Sequence, residues 1–130
     1  MQHRRLTGLA AAALGAWPAL VLVGCGTLQA YDGARLPAAV RATVQADPVI
    51  SAGLPVQVIL RKADDRAVPA SRARVELTPG HHVLIVDCRI AATGATARFV
   101  IEAELEAGRA YRLEADATAQ RCDAVRLEAR

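Results

Sequence analysis

Beyond residue 38, apolar and polar residues alternate in steps of two along most of the chain. Val40, Ala42 and Val44 alternate with Arg41 and Thr43, and "VQVILR" at 56–61 is a compact β-branched run after Pro55. "RARVEL" at 72–77 alternates again and stops at Thr78-Pro79-Gly80, where "HHVLIVDCRI" begins. After "AATGA", the run "TARFVIEAELE" sets Phe99, Ile101, Ala103 and Leu105 on one face, opposite Arg98, Glu102 and Glu104. Ala107-Gly108 reads as a tight turn into "RAYRLEADA", with Tyr111, Leu113 and Ala115 inward, and "DAVRLEA" closes the chain. Side chains alternate across a strand with period two, so each run is a strand with one wet face. Residues 102–117 are rich in Ala and Glu, which favour helix. Their apolar residues nevertheless fall two apart, and Gly108 interrupts them, so strand is expected there too. About seven strands separated by turn signals predict an all-β fold, a small antiparallel β-sandwich.

The first residues follow another pattern. Arg4 and Arg5 form a positive head, and Leu6 to Val23 carry no charge. That is the layout of a secretory signal peptide. A transmembrane helix is the rival reading, but it needs roughly 20 continuous apolar residues and a far-side anchor. Here the run is broken by Gly8, Gly15 and Pro18, and no basic cluster follows it. Its last four residues, Leu22-Val23-Gly24-Cys25, resemble a bacterial lipobox. The resemblance implies a diacylglyceryl group on the Cys25 sulfur, cleavage after Gly24, and acylation of the new amine. Several chains on one residue anchor firmly, whereas one holds only reversibly. Gly26 stands where Asp would favour retention in the inner membrane, so the periplasmic face of the outer membrane is the expected address.

The expected organisation is therefore signal peptide 1–24, lipidated Cys25 and a Gly- and Pro-punctuated tether to residue 37, and a β-sandwich domain over 38–130. The remainder suits one domain. Arg4 and Arg5 supply two of the three net positive charges, so the mature part is close to neutral. Its arginines are spread among carboxylates, without the clustered patch that nucleic-acid binding requires. Trp17 belongs to the signal, which leaves Tyr31, Phe99 and Tyr111 as the mature aromatics. Val, Leu, Ile and Ala must fill the core, and no stacked-ring platform for sugars is expected.

"YDGARLP" (31–37), "LTPGHHVLIV" (77–86) and "LEAGRAYRLEA" (105–115) occur in that order. With the lipobox they resemble a group of small proteobacterial lipoproteins that has no assigned activity. Those proteins carry a Tyr-x-Gly-x-x-x-Pro start, a Pro-Gly-x-His strand opening and an Ala-Gly-x-x-Tyr hairpin. The resemblance implies structural roles for Pro79, Gly80 and His82 at one turn and for Gly108 and Tyr111 at the next. It departs at Arg61-Lys62-Ala63-Asp64, where the group often has a Val-Asp-Gly turn.

Two cysteines remain once Cys25 is acylated. An even pair in an oxidising periplasm is expected to bond. In a meander turning near residues 93 and 107, Cys88 falls level with residues near 98 and then 116, beside Cys122. Alternation points Val125 and Leu127 inward, so Cys122 needs a bend before its strand. Two free buried thiols are the alternative; a redox pair lacks Cys-x-x-Cys spacing. His81 and His82, being adjacent, face opposite sides of a strand and grip one metal poorly. A turn-capping role that hydrogen-bonds backbone is expected for them. Asp64-Asp65 reads as a solvated loop, and no catalytic elbow or phosphate loop occurs.

These readings imply a lipid-anchored, non-enzymatic envelope protein with no cofactor. It would be tied to the membrane through Cys25 and would bind or support an envelope protein through exposed strand edges or loops such as 62–72. One alternative is a lipoprotein inhibitor of a hydrolase. Another is a metal-binding or enzymatic domain centred on His81, His82 and Asp87.

Overall fold

The computed structural model describes Gly15 and residues 27–46, 48–51, 54–70 and 72–130. Apart from Gly15, the stretch expected to be a signal peptide (1–24) lies outside the described residues, as does Cys25. Ten strands form two sheets: β1 (Thr27–Gln29), β2 (Ala42–Gln45), β3 (Pro48–Ser51), β4 (Leu54–Ala63), β5 (Arg66–Ala67), β6 (Arg74–Leu77), β7 (Gly80–Ile90), β8 (Thr96–Leu105), β9 (Ala110–Ala117) and β10 (Cys122–Ala129). The first sheet runs β1-β6-β2-β9-β10 and the second β3-β4-β7-β8, with β5 paired to β4. Most pairings are antiparallel; β1 with β6 and β2 with β9 are parallel.

Alternation explains the core. Val44, Val75, Leu77, Tyr111 and Leu113 of the first sheet face Val56, Val58, Leu60, Leu84, Val86, Cys88 and Ile90 of the second, all buried. Each fully buried Val, Leu or Ile side chain is worth about 1.5–3 kcal/mol, and together they hold the sheets face to face. Two register shifts change the phase of the alternation. One between Leu60 and Lys62 lets both Leu60 and Ala63 point inward. The other, between Cys122 and Ala124, supplies the bend that Cys122 requires. An extra residue on one strand re-aims the side chains beside it in this way.

All seven expected strands occur, and three short ones join them. The tether expected up to residue 37 is in part folded, so the ordered domain begins before residue 38. β1 pairs with β6, the Ala30 N–H donates to the Glu76 carbonyl at 2.9 Å, and the Leu36 N–H donates to the Tyr31 hydroxyl at 2.9 Å. Gly and Pro mark loops in sequence, but a three-residue strand held by a neighbour leaves no periodic signal. Val40, expected inward, lies in a turn and is exposed.

The larger correction concerns Gly108. It does not turn a hairpin: β8 pairs with β7, β9 pairs with β2 and β10, and residues 106–109 cross from one sheet to the other. Gly108 has φ +75° and donates its N–H to the Arg41 carbonyl at 3.1 Å. A Cβ there would stand 3.0 Å from the Ala39 oxygen, so the crossover needs glycine both for dihedral and for space. The buried Tyr111 accepts the Glu106 N–H on its hydroxyl at 2.9 Å, the corner by which Greek-key sandwiches pin such a crossover.

Candidate functional site

Among the described residues three polar clusters centre on a buried side chain, His82, Asp87 or Glu76, and one crosslink joins the sheets. The crosslink joins Cys88 of β7 to Cys122 of β10, 34 residues apart in sequence, with Cα atoms 6.2 Å apart. Cys88 pairs in register with Ala97, and Cys122 with Ala117, so the bond runs between the sheets rather than along one. The expected pairing is present, reached through two separate hairpins instead of one continuous meander.

The second feature is a clasp at the start of β7. Thr78, Pro79 and Gly80 lead into the strand, and Gly80 adopts φ +116°. His82 is buried, with Nε2 2.6 Å from the Thr78 carbonyl oxygen and Nδ1 2.6 Å from Asp64 Oδ2. Asp64 sits at φ 53° in the turn between β4 and β5, and its Oδ1 accepts the Val83 N–H at 2.9 Å. A carbonyl cannot donate, so Nε2 must. Partial burial pushes the Asp64 carboxyl up, but hydrogen bonds from His82 and the Val83 amide outweigh it and hold it below the ordinary value. Asp64 is thus a clasp residue, not the free loop residue that Asp64-Asp65 suggests in sequence.

The other two clusters each bury one carboxylate under arginines. Asp87, on the outer face of β7, accepts Arg98 Nε at 2.8 Å and Arg61 Nε at 2.8 Å. Glu76, on the outer face of β6, accepts Arg35 Nε at 3.0 Å, with Arg41 Nε at 3.4 Å. The Arg98 hydrogen bond holds Asp87 below the usual carboxylate range against the cost of burial, and Arg35 does the same for Glu76. The sequence gives only a weak hint of either cluster. A carboxylate at an outward position looks solvated until the register brings arginines over it.

His81 and His82 face opposite sides, and His81 pairs with the exposed Glu104 at 3.1 Å. Asp87 lies six residues along the strand from His81, about 20 Å at strand rise, and is occupied by Arg61 and Arg98. The structure therefore does not bring His81, His82 and Asp87 together. Among the described residues no group of three or more His, Cys, Asp or Glu is placed to hold a metal. A recess of about 120 Å³ opens between β4 and Ala70, Arg72 and Ala73, and another of about 300 Å³ lies beside Arg35 and Glu76. The first is lined mainly by Ala, Val, Leu and Ile side chains, and the carboxylate in the second is already paired. No family model, curated protein or solved structure matches the chain.

Proposed function

We propose that this chain is an envelope lipoprotein of the small proteobacterial type it resembles, anchored by lipid on Cys25 to the periplasmic face of the outer membrane. Its role is to bind or support an envelope partner without catalysis. The observation that carries the reading is Leu22-Val23-Gly24-Cys25 at the end of an uncharged apolar run that follows Arg4 and Arg5. Cys88 and Cys122 are bonded to each other, so neither is paired with Cys25. A crosslink between sheets also suits an oxidising compartment, where such bonds form and persist. Among the described residues no helix is long and apolar enough to cross a membrane. Attachment through an acylated cysteine needs none, because the acyl chains enter the bilayer in place of the polypeptide.

Metabolic labelling with palmitate tests the anchor. The wild-type chain should take up label and lose its first 24 residues, whereas Cys25→Ser should stay unlabelled at precursor length. Label on the serine variant at the wild-type level, or none on the wild type, would end this reading. Density separation of the two membranes then reads the address.

A further inference from the structure

The β8 edge of the second sheet carries an inference that stands whether or not Cys25 bears lipid. β8 is a terminal strand: β7 pairs with it on one side, and among the described residues nothing pairs with the other. The Ile90 N–H donates to the Ala95 carbonyl at 2.8 Å, which fixes the phase of the β7–β8 ladder. In an antiparallel pair, hydrogen-bonded and non-bonded positions alternate. The odd-numbered residues of β8 therefore turn their N–H and C=O groups to β7. Thr96, Arg98, Val100, Glu102 and Glu104 turn theirs to the open edge. A ten-residue strand with the main-chain groups of five residues open, and without proline, lysine or register shift, is an unusual thing for a sheet to leave bare.

We propose that a second copy of this chain covers this edge, β8 against β8 and antiparallel, about a two-fold axis through Val100. The side chains select both the partner and the register. Centred on Val100, the pairing sets Val100 against Val100, Arg98 against Glu102 and Thr96 against Glu104, and the Arg98–Glu102 pair occurs twice by symmetry. Centred on Arg98 or on Glu102, it would set like charges directly opposite. Intermediate registers set Val100 against Arg98 or Glu102. Of these registers only the one centred on Val100 sets valine against valine and Arg98 against Glu102.

The inner face agrees. The same register brings Phe99 opposite Ile101 of the second copy and Ala97 opposite Ala103. Phe99, Ile101 and Ala97 are only partly buried, although they pack against the core, whereas the equivalent positions of β7 are fully buried. Val100 is 66% exposed, the most exposed large apolar side chain among the described residues. Joining the edges makes one continuous sheet through both copies and covers these side chains. One strand edge is a small interface by the usual standards, so association is weak and concentration-dependent.

Cysteine trapping in the whole chain, produced in an oxidising compartment, suits a weak dimer. Residues directly opposite in a hydrogen-bonded pair have Cα atoms about 5.5 Å apart, within the span of a disulfide. Val100→Cys should give a covalent dimer that reductant dissolves. Glu104→Cys, equally exposed, would lie eight positions from its counterpart, roughly 26 Å, and should stay monomeric. Cys25 is common to both variants and cancels. Sedimentation supplies the second reading: the wild type should dimerise with concentration, and Val100→Lys, with lysine opposite lysine, should not. The proposal fails if Val100→Cys yields only monomer, if Glu104→Cys crosslinks as readily, or if Val100→Lys associates like the wild type.

Discussion

Breaking the Cys88–Cys122 bond should remove a large share of the stability of the domain. The 34-residue loop it closes contains β8, the crossover and β9, so the bond restrains half of each sheet's outer hairpin in the unfolded chain. The chain-entropy relation values closure of a loop of this length at about 4 kcal/mol. A single domain has about 5–15 kcal/mol in total. For roughly 100 folded residues the unfolding entropy near the midpoint is about 0.2 kcal/mol/K, so the expected drop in Tm is about 15–20 °C. The assay is thermal unfolding followed by far-ultraviolet circular dichroism, on the oxidised protein and on protein kept reduced by a phosphine. A Cys88→Ala/Cys122→Ala variant separates the crosslink from packing. Cys88 is wholly buried, so the variant also loses sulfur from the core and should melt somewhat below the reduced wild type. The reasoning is refuted if the reduced protein melts within about 5 °C of the oxidised one, or if the purified oxidised protein shows free thiols at both positions.

Two further outcomes follow from single groups. Tyr111→Phe keeps the buried ring but loses the acceptor for the Glu106 N–H, and should lower stability by about 0.5–1.5 kcal/mol in urea unfolding; an unchanged midpoint would mean the corner does not pin the crossover. Asp64, Glu76 and Asp87 all have carboxyls held below their ordinary values, so the folded state binds fewer protons than the unfolded state in the acid range. Their contribution is full above the unfolded carboxylate values of about 4 and is lost as pH falls through the lower folded values. The urea midpoint should therefore be flat at neutral pH and fall below about pH 4, and Asp87→Asn should be less stable at neutral pH with a shallower acid fall; an unchanged acid slope in the variant would contradict the Asp87 assignment.

Period-two alternation carries a definite amount of information, and the differences between expectation and structure trace its limit. It says which residues of a strand face the core, and it does so correctly for Phe99 to Leu105 and for Tyr111 to Ala115. It does not say which sheet the strand joins. Ala107-Gly108 reads the same whether the chain doubles back or crosses over. What decides is the Gly108 N–H on Arg41 and the Tyr111 hydroxyl under Glu106, and the first of these is a contact 67 residues away in sequence. The clusters were hidden for the same reason. His82 is legible as a residue after a turn, but its partner Asp64 is 18 residues upstream. Asp87 is legible as outward-facing, but Arg61 and Arg98, on the strands to either side, bury it. The disulfide was legible because cysteines are few and their pairing needs only approximate level, with the bend at Asp123 supplying the remainder.

The position of the crosslink and the bareness of β8 belong to one physical problem. At this side of the sandwich the two sheets end in β8 and β10, and among the described residues no strand closes the gap between them. Phe99 and Ile101 on β8, with Val125 and Leu127 on β10, are the half-buried residues left at that opening. Tyr111, the one buried aromatic among the described residues, lies a strand further in, on β9. Apolar packing alone is therefore thinnest where the β7–β8 and β9–β10 hairpins lie against each other. A covalent bond from β7 to β10 fastens the two hairpins there without adding side-chain volume. It fixes the sheets to each other but leaves the outward main-chain groups of β8 without a strand partner among the described residues, because the sulfur bridge spans the interior. Closing the sandwich and covering its edge are separate tasks. The disulfide accomplishes the first, and the alternating charges of Arg98 and Glu102 about Val100 are arranged for the second.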